Sequence, residues 1–197
     1  MGIDLRAEAA RYYDRNPDMP DDVPFYIDHI PSEQAAVLEL GCGTGRVTLP
    51  LTQHCDYIHG IDLSPAMISI CESKLAKAGV PPSKVRVEVG DITDFDLGRT
   101  FDLIIAPFRV LQNLETDSEV DGLFRGIRRH LAPGGTCILN VFNPKPDRET
   151  LRREWCTDDE VLDWEMDIEG GKLACYDRRP RMDKEKLILY PELIYRR

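Results

Sequence analysis

The sequence predicts an α/β protein built on a doubly wound, mostly parallel sheet, followed by a C-terminal antiparallel β-meander. Three observations carry that expectation. Short apolar runs alternate with stretches of helical periodicity from residue 37 to residue 142. The first run, Val37–Leu40, passes directly into a loop with glycine at positions 41, 43 and 45. Beyond Asn143 the pattern changes to alternating charged and apolar residues broken by Gly170-Gly171.

The elements follow in order. Residues 5–15 read as a short helix carrying Tyr12 and Tyr13, closed by the Pro- and Asp-rich segment 16–24, and Phe25–Ile30 adds a further helical turn or two. Val37–Leu40 is the first buried strand, and the helix after the glycine loop holds Val47, Leu49 and Leu51, with Pro50 expected to bend it or limit its length. Tyr57–Ile61 is the second strand and ends at Asp62. Ser64-Pro65 starts a helix, with Ser as N-cap and Pro at the first position, that runs to Gly79. Val85–Val89 is the third strand, and Phe101–Ala106 the fourth, apolar enough to be buried on both faces. A helix over Asp121–Leu131, ended by Ala-Pro-Gly-Gly, leads to a fifth strand at Thr136–Phe142. Strands separated by helices imply βαβ units with right-handed crossovers. In such sheets ligands lie at the carboxyl ends of the strands, so residues just after each strand face one crevice.

A chain of 197 residues is expected to form one domain with a sizeable core, and its 42% hydrophobic and 30% charged residues are ordinary for a globular protein. A net charge of −10 repels phosphate backbones and argues against a nucleic-acid substrate. Arg125, Arg128 and Arg129 fall at helical spacing, as a solvated helix face would. The six cysteines form no C-x-x-C pair, no secretory signal is visible, and no run is long enough to span a bilayer, so reduced thiols in the cytoplasm are expected.

Glycine suits the loop because it adopts φ > 0 and lets a ligand approach the bare backbone. The helix after it is expected to direct free N–H groups at that ligand. Dinucleotide enzymes space their glycines G-x-G-x-x-G, and here the third position is Arg46. At the next strand ends, Asp62 either accepts hydrogen bonds from two ribose hydroxyls or merely ends the strand beside Ser64. Asp91 either accepts from an adenine amino group or forms an Asx turn. Met67 lies against an adenine or in the core.

The run from Glu39 to Arg46, acid-x-Gly-x-Gly-x-Gly, resembles motif I of the class I S-adenosylmethionine (SAM) dependent methyltransferases. Gly60 to Met67 resembles that family's second motif, Val89 to Ile92 its third and Phe101 to Phe108 its fourth. Leu131 to Thr136 resembles the loop before its fifth strand, and the resemblance covers about residues 10–143. It implies a Rossmann-like core with SAM as cofactor. Residue by residue, it implies that Glu39, Gly41, Cys42, Gly43, Thr44 and Gly45 form the loop that cradles the methionine part. Asp62 and Leu63 would serve the ribose side, Asp91 and Ile92 the adenine, with Met67, Pro107 and Phe108 beside them. Arg46 either pairs with the methionine carboxylate or faces solvent, and Tyr12 or Tyr13 either closes over the same group or packs the first helix.

Methyl transfer from a sulfonium needs proximity and exclusion of water rather than a strong base, so no catalytic residue is assigned. The fourth motif reads Ala-Pro-Phe, without the Asn-Pro-Pro-aromatic signature for nucleobase amines or the Pro-Cys nucleophile for pyrimidine carbon 5. By elimination the acceptor is a small molecule, with no nucleic acid and no membrane as partner. His130 is placed at a helix end and His29, His54 and His59 at the surface. Asp158, Asp159 and Glu160 read as an acidic helix start rather than a metal site.

Residues 1–143 are thus the expected cofactor core with an N-terminal helical cap. Residues 144–197 are a cap of three strands, Val161–Ile168, Lys172–Arg179 and Leu187–Arg196, with a hairpin turn at Glu169 to Gly171. The meander resembles the insert that shapes the acceptor pocket in some small-molecule methyltransferases. The family core continues beyond such an insert with a helix and two strands that are not seen here. A truncated chain, a naturally short one, or a homodimer covering the exposed edge would each account for that. Two functional readings follow, an active small-molecule methyltransferase and a SAM-binding protein that is catalytically incomplete or regulatory. A nicotinamide oxidoreductase is disfavoured by Arg46.

Overall fold

A computed structural model describes residues 10–197 and divides them into two compact units. The first holds the segment ending at Asp14 and Pro20–Phe142; the second holds Arg15–Met19 and Asn143–Arg197. No helix among the described residues is long and apolar enough to cross a membrane.

In the first unit the chain runs α1 (Ala10–Tyr13), α2 (Val23–Asp28), β1 (Ala36–Leu40), α3 (Thr48–Leu51), β2 (Tyr57–Asp62), α4 (Pro65–Lys77), β3 (Val85–Val89), β4 (Phe101–Ala106), α5 (Asp117–His130) and β5 (Leu131–Leu139). Residues 5–9 of the expected first helix lie outside the described residues. The five strands pair in parallel in the order β3-β2-β1-β4-β5, a doubly wound sheet. Alternation along each strand sends apolar residues to both faces. Val37, Ile58, Leu103 and Ile105 pack in one cluster with Leu51 of α3 and Cys71 and Leu75 of α4. Leu38, Leu40, Ile61, Ile104 and Ala106 pack in the other with Leu123 and Ile127 of α5.

Local signals place α4 as expected: the Ser64 hydroxyl accepts from Met67 N at 3.3 Å, and Gly79 takes φ 68° just past the helix end. The helix after the glycine loop is a single turn, Thr48–Leu51, the limited length expected of Pro50. Two expectations are corrected. Helix α5 begins at Asp117, four residues before the expected start. Thr116 and Glu119 form a reciprocal capping box there, with Glu119 N to Thr116 Oγ1 at 3.2 Å and Thr116 N to Glu119 Oε2 at 2.8 Å. Strand β5 begins at Leu131, and residues 132–135 bulge out between the Phe101–Leu131 and Leu103–Thr136 pairs.

The second unit holds α6 (Arg148–Glu154) and an antiparallel sheet of β6 (Thr157–Ile168), β7 (Gly171–Asp183) and β8 (Ile188–Arg196) in that order. The meander matches the sequence reading, with Trp164, Leu173 and Cys175 buried and Trp164 edge-on to Tyr195 at 6.0 Å. Helix α6 is not in that reading, although Asp147 caps it by accepting from Thr150 N at 2.8 Å. Asp158, Asp159 and Glu160 lie in β6, not at a helix start.

In α5, Gly122 sits where a Cβ would lie 2.3 Å from the Thr93 carbonyl oxygen. Alanine usually gains about 1 kcal/mol over glycine inside a helix. Here Gly122→Ala is expected to lose about 1–3 kcal/mol in urea unfolding, because backbone must move. A gain in stability would contradict this packing.

Candidate cofactor site

The glycine loop lies across the end of β2. Gly41 N and Cys42 N both donate to Ile61 O, at 2.8 and 3.1 Å. Gly43 N donates to Asp62 Oδ2 and Ser64 N to Asp62 Oδ1, each at 2.9 Å. Asp62 is 2% exposed, so this buried carboxylate joins the loop after β1 to the start of α4. Each of its oxygens retains a further lone pair for a ligand hydroxyl.

The glycines divide by role. A Cβ on Gly41 would meet Val110 Cγ2 at 2.5 Å, and one on Gly45 would meet Cys71 Sγ at 2.5 Å. Gly43, at φ 55°, has nothing within 4 Å of that position and is the open face of the loop. Cys42 and Cys71 are both buried; a hydrogen bond to Cys71, and then burial, push the Cys42 thiol well above its ordinary pKa, so it is no thiolate nucleophile.

Side chains beneath the loop fix it from inside. Glu39 is buried on the α3 face of the sheet, where Thr48 Oγ1 donates to its Oε2. Burial pushes the Glu39 pKa up to about 8, against the opposing pull of that hydrogen bond and of Arg46. Thr44, fully buried, donates to Asp14 Oδ1 at 2.6 Å, and Asp14 pairs with Lys74 at 2.6 Å. Arg46 forms an ion pair with Asp22 and donates to Pro20 O at 3.0 Å, so its guanidinium is engaged within the protein. Tyr13 stands edge-on to Phe108 at 6.4 Å, and Tyr12 is half-buried on the same helix.

At the end of β3, Asp91 Oδ1 accepts from Thr93 N at 2.8 Å and Thr93 Oγ1 at 2.7 Å, an Asx turn, and Ile92 packs on the α5-side core. Leu63 is 70% exposed and Val89 52% exposed, two apolar side chains at the ends of neighbouring strands. Met67 is 4% exposed, a core position. His59 is also buried rather than on the surface, because β2 is an interior strand covered on both faces. Burial pushes its pKa down although Nε2 lies 2.9 Å from Glu88. His130 is buried with both ring nitrogens in use, at 2.7 Å from Gly126 O and 2.9 Å from Leu97 N.

The turn after β4 begins with Pro107, which is buried. Phe108 (φ 50°) and Arg109 (φ 65°) are consecutive non-glycine residues in the left-handed region, each costing on the order of 1–3 kcal/mol. The turn is held from the chain leaving β5. Arg109 N donates to Asn140 Oδ1 at 3.2 Å, while Gln112 both donates to Phe142 O at 3.0 Å and accepts from Phe142 N at 2.6 Å. Sequence reasoning missed Arg109, Gln112, Asn140 and Phe142, along with Asp14 and Asp22, all of which are brought in by long-range pairing.

A doubly wound sheet with an open glycine at the first strand end and a buried carboxylate at the second defines a nucleotide-type cofactor protein. A family model described as a methyltransferase domain matches residues 37–135. The dTDP-4-amino-2,3,4,6-tetradeoxy-D-glucose N,N-dimethyltransferase of Saccharopolyspora spinosa is 33% identical over 110 residues, 56% of this chain and 41% of that protein. The CcbJ methyltransferase of Streptomyces caelestis is 25% identical with a TM-score of 0.76, over 98% of this chain and 73% of that one. An amino pentose methyltransferase from Micromonospora echinaspora, solved with SAM bound, shares the fold at 23% identity and a TM-score of 0.67, over 99% of this chain and 83% of that one. The chain belongs to the class I SAM-dependent methyltransferase family, and its cofactor is S-adenosylmethionine. It spans about half the length of the curated relatives it matches, between 41% and 50% of the first four.

Glu39 gives a pH signature. Its ordinary pKa of 4.5 applies in the unfolded chain, whereas the folded value is about 8. Its contribution to stability is therefore complete below about pH 4.5 and lost as pH rises through 8. Relative to wild type, Glu39→Gln is expected to gain up to about 1.4 kcal/mol per pH unit across that window in urea unfolding. A stability difference independent of pH would contradict the buried, protonated acid.

Proposed function

We propose that the protein transfers a methyl group from SAM to the amine of a small molecule of amino-sugar type. The observation that carries the cofactor half is the Gly43–Asp62 link, which holds an open backbone face beside a buried carboxylate. The acceptor class is supported by relatives named for amino-sugar N-methylation and an amino pentose acceptor.

SAM, when bound, would supply an electrophilic methyl on a positively charged sulfur, open to in-line attack by an amine lone pair, with sulfur keeping the C–S electron pair as the leaving group. The chain's own residues bind, orient and exclude water. Gly43, with Gly41, Cys42, Thr44 and Gly45 fixing its path, offers bare backbone to the methionine part. Asp62 accepts ribose hydroxyls on the lone pairs its amide partners leave. Leu63 and Val89 provide apolar surface, with Asp91 and Ile92 at the next strand end. Arg46 docks Pro20 and Asp22 onto the loop, and Pro107, Phe108 and Tyr13 close the β4 end. An amine that is neutral when it attacks needs no protein base, and its proton passes to water after transfer.

Calorimetric titration with S-adenosylhomocysteine and with NAD, followed by transfer of labelled methyl from SAM to amino-sugar nucleotides, tests this reading. S-adenosylhomocysteine is expected to bind, NAD not to, and label to appear on the amine. Binding of NAD alone would overturn the cofactor half, and cofactor binding without labelled product would overturn the acceptor half.

A further inference from the structure

We propose that Arg109 holds a phosphate group of the methyl acceptor, an inference that rests on the small-molecule methyltransferase reading above. Two guanidinium groups lie near the Phe108 ring, Arg46 at 5.9 Å and Arg109 at 5.2 Å from its centroid. They differ in what neutralises them. Arg46 is paired with Asp22 and hydrogen-bonded to Pro20 O. Arg109 pairs with no carboxylate among the described residues, and its guanidinium donates to no protein oxygen there. It lies over the Phe108 and Phe142 rings, 5.2 Å from each centroid. Ring faces hold a cation by their quadrupole and leave its forked N–H donors for a planar or tetrahedral oxyanion.

The cation is also placed with care. Arg109 takes φ 65° beside Phe108 at φ 50°, its own amide is held by Asn140, and Gln112 fixes the backbone of Phe142 on both sides. Strain of this kind persists only where surrounding contacts over-determine it, and here they converge on one exposed arginine at the carboxyl end of β4. In a chain of net charge −10, a local cation offsets the overall repulsion that an anionic acceptor meets. One relative is named for a dTDP-linked sugar, which carries a diphosphate.

The test is calorimetry on the full chain with S-adenosylhomocysteine present, using inorganic pyrophosphate and thymidine diphosphate as probes. Wild type is expected to bind both. Arg109→Met should weaken both by about tenfold or more and Arg109→Lys by less, with S-adenosylhomocysteine affinity within about twofold of wild type in each. Tighter binding of thymidine diphosphate than of pyrophosphate assigns the phosphate to a nucleotide, and equal binding assigns it to phosphate alone. Failure of wild type to bind either probe, or equal affinity in Arg109→Met, would overturn the proposal. So would a matching loss of S-adenosylhomocysteine affinity at unchanged Tm, which would assign Arg109 to the cofactor. Absence of S-adenosylhomocysteine binding in wild type would count against the methyltransferase reading instead, and the same probes titrated without it still read Arg109.

Discussion

A buried carboxylate is costly unless hydrogen bonds repay its lost hydration, and Asp62 receives them from two places at once. Its partners, Gly43 N and Ser64 N, belong to the loop after β1 and the cap of α4. Meeting that constraint forces the glycine loop back over β2, where Gly41 and Cys42 share the Ile61 carbonyl, and fixes where α4 starts. The packing of α4 follows, because Cys71 must come close enough to Gly45 to exclude a Cβ there. Charge-assisted hydrogen bonds contribute about 1.5–3 kcal/mol each, so this pair outweighs any single apolar contact around the loop.

The β4 end rests on a different principle. There two strained residues are held by the Asn140 side chain from the segment that leaves β5, and by Gln112 of the turn itself, which grips the Phe142 backbone of that segment. Asn140 and Gln112 substitute for a sheet ladder that the twisted backbone can no longer supply. The β2 end of the sheet is therefore held by buried hydrogen bonds, and the β4 end by an exposed hydrogen-bond clamp.

Much of the core was legible because its signals are short-range. Ser64-Pro65, Gly79 and the apolar runs each act within a few residues, and the order of strands followed from them. The capping box at Thr116 and the Asp147 cap are equally local, so the true start of α5 and the presence of α6 are also written in neighbouring residues. His59 is different: its burial depends on β2 having a strand on each side, which no local pattern states. The left-handed turn at Phe108 and Arg109 is likewise imposed by residues about 30 positions away. The glycine loop named the cofactor, but the residues that hold it rigid, Asp14, Asp22 and Thr48, are recognisable only once the chain has folded.

If the Asp62 carboxylate shapes the loop for SAM by accepting from Gly43 and Ser64, then Asp62→Asn, whose amide can accept at only one of the two positions, should bind S-adenosylhomocysteine at least about tenfold more weakly. Calorimetric Kd values read this, with the β-sheet signal in circular dichroism expected to be retained. An unchanged Kd would contradict it.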